Sequence, residues 1–108
     1  MATAKEKMDQ AATQISANKD QAKQIGAVYK FVLDGAGGGT WVMNLKDNPG
    51  VTAGDGDAQC TIKMAASDYV DMVEGRANGQ QLFFTGKLKI EGDMGLAMKL
   101  QKLTEMIK

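Results

Sequence analysis

A single small domain that mixes helices with strands is the fold class this sequence predicts. Its length of 108 residues fits one domain. The spacing of its apolar residues is helical at both ends and alternates in the middle. Glycines and capping residues punctuate each change of period. A chain of this length can bury roughly two-thirds of its surface, enough for one core. Nothing in it reads as a linker or a repeat, so residues 1–108 are taken as one domain.

The elements follow in order. Residues 3–25 read as helix, with Met8, Ala11, Ala12, Ile15, Ala22 and Ile25 as a thin apolar stripe. The stretch "SANKD" interrupts it, with Asn18 as N-cap of a short second helix that Gly26 ends. "AVYKFVLD" then places Ala27, Tyr29, Phe31 and Leu33 on one face, the period of a half-buried strand. "GAGGG" turns the chain, and "TWVMNLK" sets Trp41, Met43 and Leu45 against Thr40, Asn44 and Lys46, so the two runs predict a hairpin. A short strand near Val51 follows. After "GDGD", a further strand alternates Cys60, Ile62 and Met64 with polar neighbours.

"SDYVDMVEG" predicts a helix capped by Ser67, with Asp68 and Asp71 near its positive end, Tyr69, Met72 and Val73 on one face, and Gly75 as terminator. Asn78 and Gly86 bound a second short helix containing Phe83 and Phe84. "KLKIE" alternates again, with Leu88 and Ile90 inward. Asp93 begins a last helix with two apolar sides. Leu96, Leu100, Leu103 and Ile107 form a core-like stripe, while Met94, Met98 and Gln101 fall on nearly the opposite side, with Ala97 between.

Composition excludes several functions. Thirteen basic residues balance thirteen acidic ones, which argues against a general affinity for nucleic acid. There is no histidine, so the commonest general base and metal ligand is missing. Cys60 is the single cysteine, which leaves no internal disulfide and no thiolate cluster. "GAGGGT" lacks both the final glycine of a dinucleotide loop and the lysine of a P-loop, and it joins strand to strand. "GDGD" offers Asp55 and Asp57 without the remaining ligands of a calcium loop. Asp68, Asp71 and Glu74 read as helix charges rather than an acid–base pair, and Ser67 has no histidine to activate it. No cofactor is called for, and the chain reads as a non-enzyme. The polar start "MATAKEKMDQ", the absence of a membrane-length apolar run and the tail "EMIK" make a cytoplasmic address the default.

Two features stay open on residue patterns alone. Lys30, Lys46, Lys63, Lys87 and Lys89 read either as a wetted sheet face or as a surface that attracts anionic lipid head groups and coenzyme A phosphates. The chain also carries eight methionines against three phenylalanines. Met43, Met64, Met72, Phe83, Phe84 and Trp41 serve either as core or as the wall of an adaptable apolar pocket.

The stretch "FFTGKLKIEGDMGLAMKLQ", with "GTWVMNLK" and "AQCTIKMAASDYVDMVEGRA" upstream, resembles the sterol carrier protein 2 family in the order and spacing of its motifs. The likeness runs from about Ile25 to Leu103. It implies an α+β fold: a five-stranded mixed β-sheet covered on one face by about five helices, with an apolar tunnel between sheet and helices. It also implies a stand-alone, non-enzymatic lipid carrier for fatty acids, fatty acyl-coenzyme A, sterols or phospholipids. Matching positions make Trp41, Phe83, Phe84, Met94, Met98 and Gln101 lipid-site candidates, with Gln101 meeting a ligand oxygen. The strand and helix faces add Phe31, Met43, Ile62, Met64 and Met72. Transient contact with an anionic membrane surface is part of this expectation. The competing reading is an interaction module whose apolar groove receives a partner's helix or tail. A weak thioesterase is disfavoured by the missing histidine.

Overall fold

The computed structural model describes residues 2–107. Helix α1 (Ala4–Ala17) opens on a reciprocal cap, in which the Thr3 hydroxyl accepts from the Glu6 N–H and the Glu6 carboxylate accepts from the Thr3 N–H. The T-x-x-E signature of this cap stands in the sequence at Thr3 and Glu6. Ala4, Met8, Ala11 and Ile15 are buried along one side of α1. The break falls at Asn18, but its amide donates back to the Gln14 carbonyl (2.9 Å) instead of capping α2 (Lys19–Ile25). Gly26 ends α2 in the left-handed conformation, φ 66°.

Strands β1 (Val28–Asp34), β2 (Gly39–Asn44) and β3 (Gly50–Ala53) form an antiparallel meander. Strand β4 (Cys60–Ala65) pairs parallel to the free side of β1, and β5 (Leu88–Gly92) adds antiparallel to β4. The five-stranded mixed sheet thus has the order β3-β2-β1-β4-β5, with β1 central. In the hairpin between β1 and β2, Gly38 is required for space. A Cβ on Gly38 would lie 2.2 Å from the Leu33 carbonyl oxygen.

Alternation sends one row of side chains across the inner face, from Trp41 through Phe31 and Ile62 to Ile90. Phe31 and Ile62, in the middle, are buried, whereas Trp41 and Ile90, at the ends, are only half-buried. Helices cover this face: α1, α2, α3 (Ala66–Val73), α4 (Gly79–Phe84), α5 (Met94–Ala97) and α6 (Leu100–Ile107). Tyr69 of α3 meets the Phe31 ring edge-on at 5.5 Å. The other face is wetted, and two of its lysines are paired across it, Lys30 with Asp55 and Lys63 with Glu91, each at 3.0 Å.

Three expectations need correction. Ser67 does not cap α3. The strand runs directly into the helix, so Ala65 takes the cap position without a side-chain bond, and Ser67 already lies inside the first turn. The last helix is not continuous but divides into α5 and α6 at Met98 and Lys99. Lys46 and Lys87 are not on strand faces, since one follows β2 and the other precedes β5.

Candidate functional site

The division of the last helix has a specific cause. The Leu96 carbonyl accepts the Tyr29 hydroxyl at 2.6 Å and also the Lys99 N–H at 3.0 Å. It is therefore taken up by a tight turn and a sheet side chain, and the regular bond from Leu100 is not made. Lys99 then reaches the Ile25 carbonyl at the end of α2 (3.5 Å). Asp93 caps α5 by accepting from the Gly95 N–H at 2.9 Å. The corner between α5 and α6 is thus pinned to the sheet and to α2. Beyond it, α6 returns to the core through buried Leu100, Leu103 and Ile107.

Opposite the corner stands α4. Asn78 caps it, its Oδ1 accepting from the N–H groups of Gln80 (2.8 Å) and Gln81 (3.4 Å). Leu82 is the buried residue of this helix, so Phe83 and Phe84 turn outward, packed edge to face at 5.9 Å. Gly79 lets α4 approach closely. A Cβ there would sit 3.3 Å from the Met72 Sδ and 3.4 Å from Leu100 Cδ2.

Between α4, the β5 edge and the α5–α6 corner lies a cleft of about 710 Å³. Met72, Ile90 and Leu100 line its depth, and Phe83, Phe84, Met94, Ala97 and Met98 its apolar walls. The walls are open to solvent: Phe83 is 39 % exposed, Phe84 74 %, Met94 52 % and Met98 87 %. So much exposed apolar surface in one place marks a binding site more often than chance.

The residues singled out from sequence divide into two groups. Met72, Phe83, Phe84, Met94, Met98 and Gln101 line the cleft. Phe31, Met43, Ile62 and Met64 sit instead in the closed core, at most 2 % exposed. Trp41 is half-buried against that core on β2, the far side of the sheet from β5, with its ring over Gly39. The strands β1, β2 and β4 hand these side chains to the covered part of the inner face. Polar residues at the cleft that sequence reasoning passed over are Arg76, Gln80, Gln81, Thr104 and Glu105. The "NGQQ" start of α4 was the available signal for two of them.

The cleft's cation is not free. The Arg76 guanidinium donates to Asp71 Oδ1 through Nη2 (2.8 Å) and Nε (3.2 Å), and pairs with Glu74 as well. Glu74 in turn receives Lys7 at 3.3 Å. The hydrogen bond from Arg76 is the main reason the Glu74 carboxyl is held below the usual range. In the core, burial pushes the Tyr29 and Tyr69 hydroxyls well up. The Tyr69 hydroxyl is buried with no hydrogen-bond partner among the described residues.

Comparison with known proteins agrees with this fold. Residues 8–105 match the SCP-2 sterol transfer family. Sterol carrier protein 2 of Rattus norvegicus is 51 % identical over 86 residues, which cover 75 % of this chain and 16 % of that protein. The chain therefore aligns with a small part of that much longer relative. Sterol carrier protein 2 from Yarrowia lipolytica superposes with a TM-score of 0.79 at 26 % identity, covering 93 % of this chain and 88 % of that one. A solved Aedes aegypti sterol carrier protein 2, described as a complex with palmitate, superposes with a TM-score of 0.70 at 22 % identity, covering 94 % of this chain and 97 % of that one. The chain belongs to the SCP-2 sterol transfer family.

Proposed function

We propose that this chain is a non-enzymatic lipid-binding and lipid-transfer domain that holds an acyl chain or sterol in the cleft between α4, β5 and the α5–α6 corner. The observation that carries this reading is the open apolar wall of Phe83, Phe84, Met94 and Met98 over a cleft of about 710 Å³. That volume lies within the ~300–1,000 Å³ of small-molecule pockets. Burying a dozen CH₂ groups gives roughly 10 kcal/mol gross, at about 0.8 kcal/mol each. Association costs about 4–15 kcal/mol, so useful affinity requires good burial of the tail. The tail supplies energy without direction, and methionine walls adapt to shape, so breadth towards tails follows.

The domain acts as a carrier rather than a catalyst in this reading. Its sequence has no histidine. Ser67 stands inside α3, outside the cleft lining. A cytoplasmic setting is proposed with it; no helix of the described residues is long and apolar enough to cross a membrane. The exposed Phe84 and Met98, with Lys87 and Lys89 on the neighbouring turn and strand, suit a transient touch on an anionic membrane during loading.

Native mass spectrometry of protein purified without detergent tests this directly. Co-purifying fatty acid, sterol or phospholipid is the expected result, and an obligate protein complex with no lipid would favour the interaction module. Saturating palmitoyl ligand is expected to raise the melting temperature, since it binds the folded chain alone. An unchanged value would count against the carrier.

A further inference from the structure

Beyond the lipid reading, which it does not require, we infer that two copies of this chain associate edge to edge through β5, antiparallel and with Ile90 of one copy opposite Ile90 of the other. The sheet is open along this strand. The Asp93 N–H donates to the Gln59 carbonyl at 2.9 Å, in line with the β4–β5 register. Bonded residues alternate along an antiparallel ladder, so Lys89 and Glu91 turn their backbone groups to β4. Those of Leu88 and Ile90 face outward, and no backbone or side-chain group of the described residues meets them there. An unpaired row of this kind is a template for another strand.

The charges along the strand select a second copy as the occupant. From Lys87 to Asp93 the chain reads KLKIEGD, with bases on one side of Ile90 and acids at the matching positions on the other. Turned about Ile90, this stretch sets Lys89 opposite Glu91 and Lys87 opposite Asp93 in both directions. Among the described residues Lys87 and Lys89 take part in no ion pair, and Glu91 pairs with Lys63 alone. Sliding by two residues either way sets Lys89 against Lys89 or Glu91 against Glu91, so charge fixes the register. A five-residue edge is a small contact by itself, and the inner face enlarges it. Antiparallel pairing lays the start of β5 in one copy beside its end in the other. Phe83 and Phe84 precede the start, and Met94 and Met98 follow the end. The aromatic wall of each copy therefore comes up to the methionine wall of the other, a favourable meeting of ring and sulfur. Phe84 and Met98, the most exposed of the large apolar side chains, gain cover from water.

Sedimentation equilibrium of the native chain across the micromolar range reads the association, with a monomer–dimer equilibrium as the expected result. Lys89→Glu and Glu91→Lys each set like charges opposite one another, and each is expected to raise the dimer dissociation constant about tenfold. Both positions are exposed, so melting curves close to the native one are expected and check that the variants fold. Two combinations are decisive. Lys89→Glu with Glu91→Lys in one chain makes the edge self-complementary again and should restore the dimer. An equimolar mixture of the two single variants sets an acidic edge beside a basic one, and should form a heterodimer although each variant associates poorly alone. A native chain that stays monomeric, its edge left to an extended peptide of another protein or to a membrane surface, overturns the inference. So does a dimer that neither single substitution weakens, or a weakening that neither the exchange nor the mixture reverses. All of these outcomes leave the lipid cleft standing.

Discussion

Phe31 and Phe84 are the same residue type in opposite circumstances. Phe31 is wholly buried on the central strand, edge-on to Tyr69, while Phe84 is 74 % exposed at the end of a six-residue helix. Met64 and Met98 repeat the contrast. The difference lies in what covers each region. The fourteen-residue α1 packs along β3 and against α3, and the largely buried α3 closes over β1 and β4. The β5 edge has only α4 and the four-residue α5 to shield it before α6 turns back into the core. Apolar character alone therefore does not tell a closed core from an open wall. The length and anchoring of the covering helices decide it.

The sharpest way to break the contrast is to truncate both aromatic rings. Phe31→Ala is expected to cost about 3–5 kcal/mol of stability, a large share of the ~5–15 kcal/mol available to a small domain. Phe84→Ala should stay within about 0.5 kcal/mol of the parent yet weaken acyl-chain binding roughly tenfold. Denaturant unfolding and probe titration separate the two effects. If Phe84→Ala unfolds the protein as readily as Phe31→Ala, the two regions are one core.

Met98→Lys is expected to lower acyl affinity about tenfold by setting a charge in the apolar wall, with no change in melting temperature. A folding defect would place Met98 inside the packed interior, against its 87 % exposure. Tyr29→Phe removes the hydroxyl that holds the Leu96 carbonyl and should cost about 1 kcal/mol. Because that bond pins the α5–α6 corner, hydrogen exchange in residues 94–99 should speed up more than in β1. Uniform acceleration would mean that the corner is not separately anchored. The smallest effect is Tyr69→Phe, which deletes a buried hydroxyl without a partner. It should leave stability unchanged or raise it by up to about 1 kcal/mol, and a marked loss would reveal a bond to that hydroxyl.

Much of the architecture was legible because it is local. Alternation marked β1, β2, β4 and β5, and the caps Asn78 and Asp93 stand where their helices begin. The broken last helix was not legible, since its cause is a contact between Tyr29 and Leu96, separated by 67 positions. The same holds for the site. Phe31, Met43, Ile62 and Met64 share residue type and periodicity with pocket walls, and only the strand order, with β1 in the centre, assigns them to the closed core. Arg76 was missed because its role depends on Asp71 and Glu74, whose geometry the spacing alone does not give.

Photo-crosslinking with an acyl chain carrying a diazirine near its tail end, followed by peptide mapping, tests the division most directly. The account predicts adducts on the segments holding Phe83, Phe84, Met94 and Met98, and none on the strands holding Phe31 and Met64. Adducts concentrated on β1 and β4, with α4 and α5 unlabelled, would contradict it.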